Sequence, residues 1–414
     1  MKLEAPISEN RTRVLRIAHA SLTPVLRARE RALARLFPEI DLEVVTTTRW
    51  REAEVEVEAV ADDLFPVAMV RPLLSKHIQL FAYDPRPVIS ALRRHRPHLI
   101  DLCHEPYSVA CAEVLTLASL YAPGATIVAQ ACQNIFRKYP MPFRWFERRA
   151  LRRVAAAHVC SETVREVLVA KGFRKPVAII PFGVNTEAFS RDRMAEHDPN
   201  QPLTIGFVGR MLPGKGLNVL SQALELLASE KWNLLVVGDG PERASFERSL
   251  STRGLLDRAR FTGAVSYEQV PEYFKQIDLL VMPTETTERI REQFGRVLIE
   301  AMAGCIPVIG STCGAIPEVI ADAGLVFPEG DAPALAEAMR RMLSDAELRE
   351  RCAMLGKARV EENYSWDVVA RKTFDFFTQV LTGATAGEAT TVKFESALRA
   401  QVNSLRRNNE KASA

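Results

Sequence analysis

Two glutamates eight positions apart flank a glycine in the run Glu292-Gln-Phe294-Gly295-Arg296-Val297-Leu-Ile-Glu300-Ala-Met-Ala-Gly304. In one continuous helix they would stand about 80° apart. Gly295 suggests that the helix begins near it, which leaves Glu292 in the preceding loop and Glu300 within the first turns. A ligand at this helix start could touch both carboxylates while its phosphates face the backbone N–H groups of Gly295, Arg296 and Val297. Carboxylates repel phosphate, so each would bind hydroxyls, as sugars offer. In isolation, the spacing fits two solvated helix charges better.

A second candidate is Gly206-Phe-Val-Gly209-Arg210-Met-Leu-Pro-Gly214-Lys215-Gly216. Glycines here would let a phosphate approach the backbone, and Arg210 and Lys215 add positive charge. Gly209-x4-Gly214-Lys215 nearly matches a P-loop, but Gly216 stands where Ser or Thr must hold Mg²⁺. A pyrophosphate site is therefore favoured over an Mg-nucleotide hydrolase; the competing reading is a plain strand-helix turn. Val237-Gly238-Asp239-Gly240-Pro241 is either turn chemistry or, through Gly238, a point of ligand approach. His104, in His104-Glu105-Pro106, follows an apolar run. It is either structural or a hydrogen-bond partner for a sugar hydroxyl.

These loops need strands behind them and helices in front. Apolar runs at 14–18, 42–46, 99–103, 126–129, 158–160 and 177–180 read as strands. Helical spacing occupies 24–37, 87–94, 108–121, 143–154 and 162–171. The stretch 54–60 alternates as an edge strand would. The pattern restarts with strands at 204–208, 233–237, 260–262, 279–282, 307–309 and 325–327. Helices are expected at 217–228, 241–252, 267–275, 297–303, 332–343, 346–362 and 366–381. Strand-helix alternation predicts an α/β chain with two doubly wound parallel sheets, whose ligands bind beyond the strand carboxyl ends.

Composition separates the same two halves. Residues 1–190 hold 27 Lys and Arg against 20 Asp and Glu, and three of the 20 glycines; the remainder holds 27 against 31. The polar stretch 191–202 reads as the linker and 383–414 as a polar tail, with 392–407 a candidate basic helix. Net charge is only +3, against a generic polyanion binder. Seven cysteines without a C-x-x-C pair fit a reducing cytosol. The polar N-terminus lacks an apolar signal core, and no window is long enough to span a membrane, so a cytoplasmic location is expected.

Residues 203–381 resemble the donor-binding half of retaining GT-B glycosyltransferases of family four (glycosyl transferases group 1). The resemblance rests on Gly209, Arg210, Gly214, Lys215 and Gly216, the Val-Gly-Asp-Gly-Pro turn, and Phe261-Thr262-Gly263. It extends to the Glu292-x7-Glu300 pair and the run from Glu300 through Gly304 to Pro307-Val308-Ile309. It implies two facing Rossmann-like domains, 1–190 for acceptor and 203–365 for donor, with 366–382 packing back on the first. By the same resemblance Arg210 and Lys215 would neutralise a nucleotide-sugar pyrophosphate. Glu292 would hold donor-sugar hydroxyls, Glu300 the ribose, and Gly209, Gly238, Phe294, Gly295, Arg296 and Val297 would line the donor. His104 would lie near the acceptor.

No Asp-x-Asp is present. The resemblance implies cationic side chains and a helix dipole instead of a metal, and the nucleotide-sugar, UDP- or GDP-linked, as substrate with no cofactor. Two loops depart from the family. His19-Ala-Ser21-Leu-Thr23-Pro24 lacks the usual glycines, and Gln133 and Asn134 stand where a histidine is common; they could bind acceptor hydroxyls but not titrate. Two other classes stay open: a GT-B-like sugar-nucleotide epimerase and a non-catalytic nucleotide-sugar binder. The absence of a G-x-G-x-x-G after the first strand argues against a dinucleotide oxidoreductase.

Finally, residues 137–153 carry seven Lys and Arg against one Glu, interleaved with Tyr139, Phe143, Trp145 and Phe146. This suits an anionic membrane surface on the inner face of the cell membrane, and hence a lipid-linked acceptor. The alternatives are a solvated helix face or a nucleic-acid patch, and no RNA-binding motif supports the latter.

Overall fold

The computed structural model describes residues 11–52, 55–74, 77–190 and 201–383, and two parallel sheets organise them. The first is built from β1 (Thr12–Ile17), β2 (Ile40–Thr47), β3 (Val67–Val70), β4 (Leu99–Leu102), β5 (Thr126–Ala131), β6 (Ala156–Val159) and β7 (Val177–Ile179). Their spatial order is β7-β6-β5-β4-β1-β2-β3. The second contains β8 (Leu203–Val208), β9 (Trp232–Val237), β10 (Ala259–Phe261), β11 (Leu279–Met282), β12 (Val308–Ser311) and β13 (Gly324–Phe327), ordered β10-β9-β8-β11-β12-β13. Central strands such as β4, β9 and β11 are apolar at successive positions because helices cover both faces. Leu99, Ile100, Leu279 and Leu280 are fully buried.

Each sheet reverses its strand order beside its first strand, between β1 and β4 and between β8 and β11. Loops that leave carboxyl ends at such a reversal frame a crevice. His19 and His104 leave β1 and β4; Gly209 and residues 283–295 leave β8 and β11. Topology thus gathers the chemically notable loops of each half at its own reversal.

Five helices matter for the site: α1 (Ala28–Leu36), α2 (Phe143–Arg153), α3 (Leu217–Glu225), α4 (Arg296–Ala303) and α5 (Trp366–Thr382). α1 starts later than the 24–37 pattern suggested. The buried Arg27 guanidinium instead holds an irregular turn by donating to the carbonyls of Ser21, Leu22, Val60 and Ala61 and pairing with Asp62. α5 lies against α1: Phe374 stacks on Phe37 at 4.0 Å and Asp367 pairs with Arg35. Val369, Ala370, Phe376 and Phe377 join Val14, Leu33 and Val44 in one buried cluster. The C-terminal helix is therefore part of the first lobe's core.

One expectation needs correction, and two short elements were not foreseen. The alternating stretch 54–60 is not an edge of the main sheet: Val55–Glu58 pairs antiparallel with Arg49–Glu52 as a separate hairpin, and Glu54 lies outside the described residues. The main sheet's edge on that side is β3, the uniform apolar run Val-Ala-Met-Val, which shows no alternation and was not read as a strand. The helix Ile316–Ile320, little more than one turn long, also escaped notice. Linker residues 191–200 and positions 384–414, with the candidate helix at 392–407, lie outside the described residues.

Candidate active site

The crevice of the second sheet is assembled from glycine turns that let backbones touch. α3 begins at Gly216, whose φ of 72° is left-handed; a Cβ there would sit 1.7 Å from the Pro283 carbonyl oxygen. That contact explains why the near P-loop lacks its hydroxyl residue, since neither Ser nor Thr would fit. A Cβ on Gly238 would meet the Gly209 carbonyl at 2.1 Å, and the Gly238 N–H donates to the Gly263 carbonyl at 3.1 Å. Gly238 is thus accounted for by turn packing, one of the two alternatives its sequence left open.

Lys215 and Glu292, 77 positions apart, meet here. The ammonium lies 2.7 Å from the Glu292 carboxylate, with side chains 23% and 15% exposed, so both remain reachable. Arg210 is exposed, and among the described residues no hydrogen bond or ion pair engages its side chain. α4 starts just after Gly295, without a side-chain cap. Its first N–H groups, at Arg296 and Val297, lack intrahelical acceptors and present the positive end of the helix dipole. Phe294 differs from its expected place: its ring is buried edge-on against Phe182 and Tyr364, at 5.5 and 5.6 Å. It anchors the loop in the core and leaves only backbone for a ligand.

Glu300, on α4, is 7% exposed. Burial raises its carboxyl pKa, against the lowering pull of Arg296 and of the Tyr267 hydroxyl. That hydroxyl donates to Glu300 at 3.3 Å, and Arg296 stands 3.7 Å away. Sequence reasoning missed Tyr267. Its local pattern, a short helical turn, carries no sign of a partner 33 residues on.

At the first sheet's reversal, His104 is buried, its Nε2 2.9 Å from the Tyr83 hydroxyl. His19 stacks on His104 at 5.2 Å and meets Trp50 edge-on at 4.6 Å. The His19 Nδ1 is buried with no hydrogen-bond partner among the described residues. Burial, with Arg16 nearby, lowers the His19 pKa from 6.5 to about 4. Burial, then His19 and Arg16, holds His104 well below 6.5. Both rings are neutral near pH 7. Tyr83 and Trp50 were not singled out from the sequence, and His19, directly after the run at 14–18, stood out only as the start of a loop without the usual glycines. Among the described residues, no hydrogen bond, ion pair or ring contact joins His104 to the Lys215–Glu292 pair.

Gln133 and Asn134 are placed differently from the expectation of open acceptor contacts. The Gln133 amide donates to the Tyr139 hydroxyl and accepts from Lys171 at 2.9 Å. Asn134 is 2% exposed, and its Nδ2 donates to the backbone carbonyls of Arg291 and Glu292 at 3.1 and 2.8 Å. Both amides are occupied inside the protein. Since Asn134 follows β5 and its acceptors follow β11, the carboxyl-end loops of the two sheets touch here.

On α2 and the segment before it, Met141, Arg144, Trp145, Arg148 and Arg152 are exposed. The spacing of 144, 145, 148 and 152 places the helical ones along one side of α2. Phe146 and Tyr139 are half-buried; Tyr139 stacks on Tyr107 at 4.0 Å. Among the described residues, no helix is long and apolar enough to cross a membrane, and no group of three or more His, Cys, Asp or Glu could hold a metal ion.

Known proteins resemble this chain in sequence and in fold. Residues 189–359 match the family model described as glycosyl transferases group 1, and residues 30–188 that of glycosyltransferase family 4. The chain is 31% identical over 225 residues to the 2-deoxystreptamine glucosyltransferase of Streptomyces kanamyceticus, covering 49% of this chain and 56% of that one. It is 33% identical over 208 residues to the phosphatidyl-myo-inositol mannosyltransferase of Mycobacterium leprae, covering 49% and 54%. The chain thus spans little more than half the length of these relatives. The Anabaena HepE structure, in complex with UDP and glucose, superposes with a TM-score of 0.66 at 16% identity, covering 89% of this chain and 100% of that one. The shared architecture is GT-B.

Proposed function

Since this chain belongs to glycosyltransferase family four, we propose that it moves a sugar from a UDP- or GDP-linked donor to an acceptor hydroxyl, with retention and without a metal. The observation that carries this reading is the Lys215–Glu292 contact of 2.7 Å beside the uncapped start of α4. Breaking the anomeric C–O bond leaves a nucleoside diphosphate whose negative charge grows as the bond stretches. Fixed positive groups stabilise that charge without reorganising. Lys215, Arg210 and the first N–H groups of α4 supply them. With a donor bound, Lys215 turns toward pyrophosphate and Glu292 toward sugar hydroxyls near the reacting carbon. Glu300 holds the ribose and Tyr267 orients it. Attack from the face the leaving phosphate vacates lets that phosphate take the acceptor proton, so no protein nucleophile is required.

The acceptor side is the reversal of the first sheet, where His104 and His19 offer neutral ring nitrogens. Acceptor hydroxyls belong to a sugar or a lipid-linked sugar, and the basic, apolar face of α2 docks on the anionic inner surface of the cell membrane. Support for a lipid acceptor comes from that face and from a relative named for phosphatidylinositol mannosylation.

The test is to incubate EDTA-treated protein with UDP-glucose or GDP-mannose and sugar or glycolipid acceptors, reading product configuration by NMR. The expected product is α-linked and forms at an undiminished rate in EDTA. A β-linked product would refute retention, and loss of activity restored by Mg²⁺ would refute metal independence. An isomerised donor in acceptor-free mixtures would move the protein to the epimerase class.

A further inference from the structure

The loop that carries Glu292 has three consecutive carbonyls, at Arg291, Glu292 and Gln293, and side chains from the other sheet cap every one. Asn134 Nδ2 donates to the first two at 3.1 and 2.8 Å. Ser161 Oγ donates to the third at 2.8 Å, and Cys160 Sγ approaches the same oxygen at 3.6 Å. Arg291 returns a bond to the Asn134 carbonyl at 3.3 Å. Asn134 and Ser161 are 2% and 0% exposed. An asparagine amide has two N–H donors, and here each has a carbonyl.

Within its own lobe both backbone groups of Glu292 are bonded to the segment Cys313–Ala315. Its N–H donates to Cys313 Sγ at 3.4 Å and its carbonyl accepts from Ala315 at 3.1 Å. The same carbonyl also accepts from Asn134 of the other lobe. Glu300 needs none of this, because α4 itself fixes its backbone.

We propose that Asn134, backed by Ser161, is a positioning residue: from the opposite lobe it fixes the backbone from which Glu292 projects, so that the carboxylate is aimed at the donor sugar only while the lobes are engaged. The functional half of this inference rests on the donor-site reading above; the structural half does not. It separates two parts of donor recognition. The nucleoside, held from α4, is independent of Asn134, whereas the sugar, read by Glu292, depends on it.

The experiment uses the full chain with Asn134→Ala, Asn134→Asp and Ser161→Ala. The aspartate keeps the shape but sets a carboxylate against two carbonyls; the serine variant gives up one bond to the Gln293 carbonyl and one to the Thr163 hydroxyl, leaving Asn134 in place, so it serves if the Asn134 variants do not fold. Amide hydrogen exchange without ligand is expected to quicken about tenfold or more across 286–293, with β8 and the body of α4 unchanged. Affinities for UDP-glucose and GDP-mannose are then compared with those for UDP and GDP. The preference for sugar-bearing over bare nucleotide should fall about tenfold while bare-nucleotide affinity stays within about twofold. Unchanged exchange in 286–293, or a uniform rise through both lobes, would overturn the positioning role. So would local loosening that leaves the sugar preference intact. If wild-type protein binds no nucleotide, the donor-site reading fails and the sugar-aiming role with it, while the exchange data separately decide whether Asn134 holds the loop.

Discussion

Glu300 joins two properties that seldom coexist on a surface carboxylate: it is buried, and it keeps a hydroxyl and a guanidinium as neighbours. A ribose-binding group should be pre-positioned in this manner, since ordering is then not charged against binding. Glu300→Ala is expected to weaken nucleoside diphosphate binding about tenfold, or ~1.4 kcal/mol, as read by calorimetry; undiminished affinity would remove the ribose assignment. The paired histidines lead to a pH prediction. His19 titrates near 6.5 when unfolded and about 4 when folded, so between these values the unfolded chain binds more protons. Stability therefore falls as pH drops from about 6.5 toward 4, by at most ~3 kcal/mol from this residue, and His104 acts in the same sense. Urea unfolding between pH 7 and pH 5 should show a shallower slope in His19→Gln than in the wild type. Identical slopes would mean that His19 is not held neutral.

At the scale of elements, the active loops depend on close backbone approach. Gly216→Ala forces a methyl against the Pro283 carbonyl at a left-handed φ. It should destabilise the second lobe by more than ~2 kcal/mol, visible as a lowered melting temperature, and should weaken nucleotide binding by displacing Lys215. Such positions were legible in the sequence: Gly216 and Gly295 announced the starts of α3 and α4, and long apolar runs announced most strands. β3 and the helix Ile316–Ile320 were not: Val-Ala-Met-Val is a uniform apolar run without alternation, and five residues make little more than one helical turn. Within the site, residue type suggested Lys215 and Glu292, but only the fold closes their separation. Asn134 was misread because its acceptors are backbone carbonyls in a loop 157 and 158 positions away. A carbonyl carries no mark in the sequence. His19 was passed over as a departure from a glycine-rich loop, yet its neighbours Trp50 and His104 come from two other strand ends.

For the whole molecule, α5 returns to complete the first lobe's core, while the loops of β5 and β11 clasp each other. The exposed face of α2 stays outside both arrangements. Binding to vesicles containing anionic lipid should be salt-sensitive and fall severalfold in Trp145→Ala, by cosedimentation, with little change in melting temperature. Equal binding to neutral vesicles would contradict an electrostatic surface contact. The most direct test of the central claim is calorimetric titration of the metal-free protein with UDP, GDP, ADP and dTDP. UDP or GDP is expected to bind without Mg²⁺, and Lys215→Ala should lose at least about tenfold in affinity. Binding by none of the four, or equal affinity in Lys215→Ala, would contradict a donor site built on Lys215 and Glu292.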